Sequence, residues 1–178
     1  MLVGREPDKA AEKAELVLKK KPRNLDALLL MAGVQMQQKD MAAAQRILKK
    51  AVEQHPKSLE ARLALGRVYV ARDEPDPAAE CFLEASAMAP AELAPYAELA
   101  RLYGKEGKWQ EAEAQLKKMI EAAGSSRLNL NILAGFYEAR DMPEQAEETY
   151  LWAVKSAPES AEALLDLASY YARHDQYQ

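Results

Sequence analysis

The chain has 178 residues, 49% hydrophobic and 29% charged, with 24 Lys plus Arg against 28 Asp plus Glu for a net charge of -4. That apolar content excludes a disordered chain, and the acidic balance argues against a nucleic-acid binder, which needs basic side chains to displace counterions from phosphates. A single cysteine, Cys81, excludes an internal disulfide, and no run approaches the roughly 18 apolar residues of a membrane span. The first seven residues, Met1 to Pro7, also lack the apolar stretch of a secretory signal.

The first predicted helix runs from about Asp8 to Lys21, behind Pro7, with Ala10, Ala14 and Val17 on its inner face. Pro22 stops it, because proline cannot continue a helix, and Asn24 is a good cap for the next one. That second helix carries Met31, Ala32 and Gln35. After the polar break Gln38-Lys39-Asp40, a third helix carries Ala44, Leu48 and Ala51 and ends at Pro56. The order then repeats every 34 residues. Ser58 opens the helix of Leu65, Gly66 and Tyr69, and after Arg72-Asp73-Glu74 the residues Ala78, Phe82 and Ala85 lead to Pro90. Glu92, the one poor cap, precedes Leu99, Ala100 and Tyr103; Ala112, Leu116 and Met119 then lead to Gly124, which stands in the proline slot. Ser126 precedes Leu133, Ala134 and Tyr137, and Ala146, Tyr150 and Ala153 lead to Pro158. The last helix, from Ala161 to about Arg173 behind Ser160, carries Leu167, Ala168 and Tyr171.

Offsets of three and four residues put each set on one helix face. Every period is therefore two antiparallel helices in which large residues face small ones. This pattern resembles the tetratricopeptide repeat, most clearly in Leu65-Gly66-x-x-Tyr69, Ala78, Phe82, Ala85 and Pro90. The departures are Gln35 for the aromatic, Arg62 for a large apolar residue and Gly124 for Pro. The resemblance implies an all-α fold, a right-handed superhelical solenoid of helix pairs. Full repeats are expected at 25–58, 59–92, 93–126 and 127–160. Residues 1–24 supply a lone second helix, and 161–178 a lone first helix. Both ends cut through a repeat, so the expectation is a fragment of a longer bacterial protein.

Catalysis has little to stand on. His55 precedes a stop and His174 lies near the C-terminus, both read as exposed loop residues, and neither sits in a metal-binding or nucleophile–base spacing. No glycine-rich phosphate loop is present, so neither a cofactor nor a metal is expected. The tyrosine column and Cys81 read as packing. The lysines at 19–21, 49–50 and 117–118 suit the ends of the second helices, where cations are favoured.

What remains is surface. The resemblance implies a protein or peptide partner held in a groove lined by first helices. Transferred by register, that groove includes Met36, Leu63, Arg67, Val70, Ala97, Arg101, Lys105, Asn131 and Glu138. The small Gly33, Gly104 and Gly135 keep it open. The carboxylate clamp of some relatives is missing, its places holding Leu29, Gly33, Ala64, Ala94 and Glu98, and so is the asparagine ladder of others (Leu30, Ala64, Glu98, Ile132, Asp166). Arg67 and Arg101, 34 residues apart, suit an acidic peptide segment, with Lys105 one turn beyond. On the outer wall, Leu151-Trp152 replaces mainly charged pairs in the other copies and is a candidate anchor for a partner. The helices at the two ends have complementary apolar faces, which predicts weak head-to-tail self-association. The leading reading is a non-catalytic interaction scaffold. The alternative is the substrate-docking or regulatory arm of a larger enzyme.

Overall fold

The computed structural model describes residues 5–174, and among these it contains ten helices and no strand. The chain divides into two compact units, residues 1–89 and 90–178. The first holds α1 (Arg5–Lys20), α2 (Leu25–Gln37), α3 (Met41–Gln54), α4 (Leu59–Ala71) and α5 (Pro75–Met88). The second holds α6 (Leu93–Lys105), α7 (Trp109–Ala123), α8 (Arg127–Ala139), α9 (Pro143–Ser156) and α10 (Ala161–His174). Within each unit, helices adjacent in sequence pack on one another.

The helix starts follow from the caps. Asn24 Oδ1 accepts from the Ala27 N–H at 2.8 Å, and Ser58 Oγ from the Ala61 N–H at 3.1 Å. Ser126 and Ser160 accept in the same way from the N–H groups of Asn129 and Ala163, at 3.3 and 3.2 Å. Each bond satisfies one of the amides that a helix N-terminus leaves unpaired. Glu92 makes no such bond, as its residue type predicted. Pro75 and Pro143 stand at the first turns of α5 and α9. The side chain of Pro7 and those of its neighbours up to Asp8 lie outside the described residues.

Inside each pair the chain reverses through one left-handed residue. Lys39, Asp73, Gly107 and Asp141 have φ of 63°, 60°, 73° and 54°. The N–H of the residue after each turns back to a carbonyl five residues earlier, as from Asp40 to Gln35 at 2.9 Å and from Lys108 to Tyr103 at 2.9 Å. This closes the first helix of the pair and frees the chain to start the second. Only one of the four positions is glycine, so three carry the steric cost of a Cβ at positive φ.

The packing rests on the predicted columns. In the first unit Ala44, Leu48, Ala51, Phe82 and Ala85 are buried, as are Leu65 and Tyr69. Gly66 is needed there because a Cβ at that position would run into the Phe82 ring, 2.9 Å from Cδ1. The second unit has one cluster built on Leu116, Met119, Leu130, Leu133, Tyr137 and Tyr150.

A further column, Val34, Val68, Leu102 and Tyr170, is also buried and was not singled out by pattern. It changes the reading of α10. Tyr170 is the fully buried tyrosine there, its hydroxyl donating to the Pro143 carbonyl at 2.8 Å, whereas Tyr171 is half-buried and donates to Glu147 at 2.6 Å. His174 is also helical rather than a loop residue, its ring 4.7 Å from that of Tyr170. His55 ends α3 and is half-buried, with Nε2 2.6 Å from the Arg23 carbonyl. Arg62, in a column of apolar residues, is half-buried: it donates to the Pro56 carbonyl at 3.1 Å and pairs with Glu84 of α5. Its guanidinium reaches the edge of the core while its stem packs inside.

Candidate functional site

In the first unit the groove positions fall on α2 and α4. Met36 and Val70 are half-buried and Arg67 is exposed, while Leu63 keeps only 8% of its surface and belongs mostly to the core. Gly33, mid-helix on α2, has nothing within 4 Å of where a Cβ would stand. The surface there is open by virtue of the missing side chain.

In the second unit Ala97 is half-buried, and Arg101 and Lys105 are exposed on α6. Arg101 pairs with Glu98 one turn earlier, Nη2 to Oε2 at 2.7 Å and Nε to the same oxygen at 3.2 Å. Its guanidinium is therefore already held by a carboxylate of its own helix. Gly135 on α8 leaves an opening like that at Gly33.

Asn131 and Glu138, both on α8, are tied to α10. Asp166 accepts from Asn131 Nδ2 at 2.5 Å and from Arg127 Nη1 at 2.6 Å. Glu138 accepts from Arg173 Nη2 at 3.0 Å and from the Tyr150 hydroxyl at 2.6 Å. Burial pushes both carboxyls up, but the hydrogen bonds outweigh it and hold each below the ordinary carboxylate range. Burial, together with the bond to Glu138, raises the Tyr150 hydroxyl to about 12. These two residues therefore fix one first helix to the next.

The outer wall has a cavity. A cleft of about 370 Å³ opens where α7, α8 and α9 meet. Leu133 and Tyr137 of α8 line it, with Glu113 and Lys117 from α7 and Gln145, Glu148, Thr149 and Trp152 from α9. Glu113 pairs with Lys117 at 2.7 Å and accepts from the Tyr137 hydroxyl at 2.8 Å. The bond from Lys117 holds the Glu113 carboxyl down, whereas burial and the neighbouring carboxylate push the Tyr137 hydroxyl up. Trp152 is 43% exposed and Leu151 46%, so the predicted apolar pair does face outward. Sequence pattern found the tryptophan and missed the cleft, whose floor comes from residues counted as core.

Among the described residues no group of three or more His, Cys, Asp or Glu side chains could hold a metal ion, and no helix is long and apolar enough to cross a membrane. Cys81 is buried beside Phe82, and burial raises its thiol above the ordinary range.

Three solved structures illustrate the likeness. TTC0263, a thermophilic TPR protein of Thermus thermophilus, is 22% identical over 93% of this chain and 91% of its own, with a TM-score of 0.63. The MamA protein is 24% identical over 88% of this chain and 86% of its own, at 0.68. YrrB, described as a TPR protein with an unusual peptide-binding site, is 16% identical over 95% and 87%, at 0.61. At such identities the likeness concerns the fold. No curated protein matches the chain. One family model, described as tetratricopeptide repeat, matches residues 5–54 and 35–102, and a second of the same description matches residues 135–178. With the periodic caps, the turns and the large-to-small packing, these matches establish that the chain belongs to the tetratricopeptide repeat family.

Proposed function

We propose that this chain is a non-catalytic scaffold that holds an extended peptide or a helix of a partner protein along its first helices. Proteins of this family bind protein partners and are typically non-catalytic. The observation that carries the finer reading is the open space at Gly33 in the first unit and at Gly135 in the second, where nothing beyond the helix's own adjacent backbone lies within 4 Å of a would-be Cβ. Backbone exposed on an otherwise side-chain-covered helix lets a ligand chain approach closely. Met36 and Val70 offer apolar contact, and the cationic run of Arg67, Arg101 and Lys105 favours an acidic segment, which would take over Arg101 from Glu98. Asn131 and Glu138 serve this surface by bracing α8 against α10, Asn131 through its Nδ2 bond to Asp166 and Glu138 through its bonds to Arg173 and Tyr150.

The experiment is capture of the partner with the wild-type chain, followed by affinity measurements on Gly33→Leu and Gly135→Leu. A leucine at either place fills the groove and should weaken binding at least tenfold, about 1.4 kcal/mol. Affinities within twofold of wild type for both variants would contradict the reading.

Weak self-association belongs to the same proposal. Of the two faces expected to meet, Leu164 of α10 and Val17 of α1 are 50% and 40% exposed, while Ala14 is buried and Ala10, Leu167 and Tyr171 are half-buried; Leu165 and Leu16 beside them are exposed as well. Packing α1 of one copy on α10 of the next is a heterologous contact, which builds open chains where its rotation does not close. One helix pair buries less than the roughly 1,600 Å² of a standard interface, so association should need high concentration. Sedimentation across a wide concentration range tests it; a chain that stays monomeric at about millimolar concentration, where even weak complexes form, contradicts it.

A further inference from the structure

We propose that the cleft between α7, α8 and α9 is a second binding site, separate from the first-helix groove, that takes an arginine of a basic segment on a partner protein. The cleft holds about 370 Å³, with buried Leu133 and Tyr137 beneath and the exposed face of Trp152 at its side. Its charge is unbalanced: two carboxylates, Glu113 and Glu148, face one ammonium, Lys117. Lys117 is spent on Glu113, with which it pairs at 2.7 Å. Glu148 is exposed and, among the described residues, makes no ion pair, and it stands one turn before Trp152 on the same face of α9. An indole beside an uncompensated carboxylate selects a group that is cationic and flat. Guanidinium meets both demands, stacking on the ring while donating to the carboxylate, whereas a lysine ammonium presents no plane.

The chain already builds this pairing internally. The Arg140 guanidinium carbon lies 4.2 Å from the centre of the Trp109 ring, in the same unit. Trp152 has no such cation of its own among the described residues. The cleft's apolar floor accounts for the rest of the ligand, taking an aliphatic side chain next to the arginine in sequence.

The test follows the Trp152 indole N–H resonance, assigned by its persistence in Trp109→Phe, during titration with acetyl-Leu-Arg-Leu-amide. The same titration is run with the citrulline peptide, which is neutral and nearly isosteric, and with acetyl-Leu-Glu-Leu-amide. Glu148→Gln is an exposed, shape-conserving change that leaves the fold intact, which circular dichroism verifies. The proposal requires a saturable shift with the arginine peptide. It also requires at least threefold weaker binding both for citrulline and for Glu148→Gln. A smaller loss in either comparison, or no saturable shift, overturns it. A stronger response to the glutamate peptide would assign the cleft to acidic segments through Lys117, and a shift that tracks dilution of the protein itself would assign it to a second copy; each of these also overturns it. Gly33→Leu, which blocks the groove, should leave the titration unchanged, so failure here and failure of the groove reading are told apart.

Discussion

The ring of Phe82 on α5 fills the space that a side chain at Gly66 on α4 would occupy, with Cδ1 and Cζ each 2.9 Å from the would-be Cβ. This close approach seats the two helices of that pair against each other. Phe82 is fully buried, so its ring has no free direction in which to move. Gly66→Ala should therefore destabilise the chain by about 1–3 kcal/mol, as overpacking does in a filled core. Gly33→Ala and Gly135→Ala meet no atom within 4 Å and should instead stabilise by about 0.5–1 kcal/mol, the helix cost of glycine. Urea unfolding of the three variants checks both signs at once.

The left-handed turns offer a second contrast. Lys39 and Asp141 hold φ of 63° and 54°, where a Cβ crowds the following carbonyl, while Gly107 sits at the same place in its own pair. Replacing Lys39 or Asp141 by Gly should stabilise by about 1 kcal/mol, and Gly107→Ala should cost about as much. Thermal melts of the three single variants would show it.

Capping predicts a third. Ser58→Ala removes the bond to the Ala61 N–H and should cost about 1 kcal/mol. Glu92 makes no cap bond, so Glu92→Ser should gain up to about 1 kcal/mol. Equal effects of the two substitutions on the urea midpoint would contradict the assignment.

Acid should loosen the second unit through Glu138 and Asp166. Both carboxyls titrate lower in the folded chain than in the unfolded one. The unfolded state then binds protons first, so their stabilisation is complete above the ordinary carboxylate range of about pH 4 to 5 and is lost as the pH falls through the lower folded values. Melting temperature should drop over that range, and less steeply in a Glu138→Gln, Asp166→Asn double variant. Parallel pH profiles for the variant and the wild type would remove these two residues from the explanation.

Much of the fold was legible because its determinants are local. Stops at Pro22, Pro56, Pro90 and Pro158 and caps at Asn24, Ser58, Ser126 and Ser160 act within a few residues of themselves. The depth of each face was harder to read. Tyr170 and Tyr171 are adjacent, and periodicity favours Tyr171, yet Tyr170 is the one that reaches the Pro143 carbonyl and is enclosed. The groove was legible as a row of positions and not as a set of contacts. Asn131 and Glu138 are 35 residues from their partners Asp166 and Arg173, and only packing decides that those side chains meet. Arg101 likewise has Glu98 one turn away, but pairing within the helix depends on rotamers that spacing does not determine. The cleft beside Trp152 was invisible for a similar reason: Leu133 and Tyr137 read as core, and a small gap above them leaves no trace in the pattern.

The most direct test of the groove is photo-crosslinking of the captured partner to benzoylphenylalanine placed singly at residues 33 and 135, with residues 50 and 121 as controls. Gly33 and Gly135 lie on first helices, whereas Lys50 and Glu121 are exposed on second helices. The account predicts cross-links from both glycine positions and none from the controls. Cross-links from residues 50 or 121, with none from 33 or 135, would contradict it.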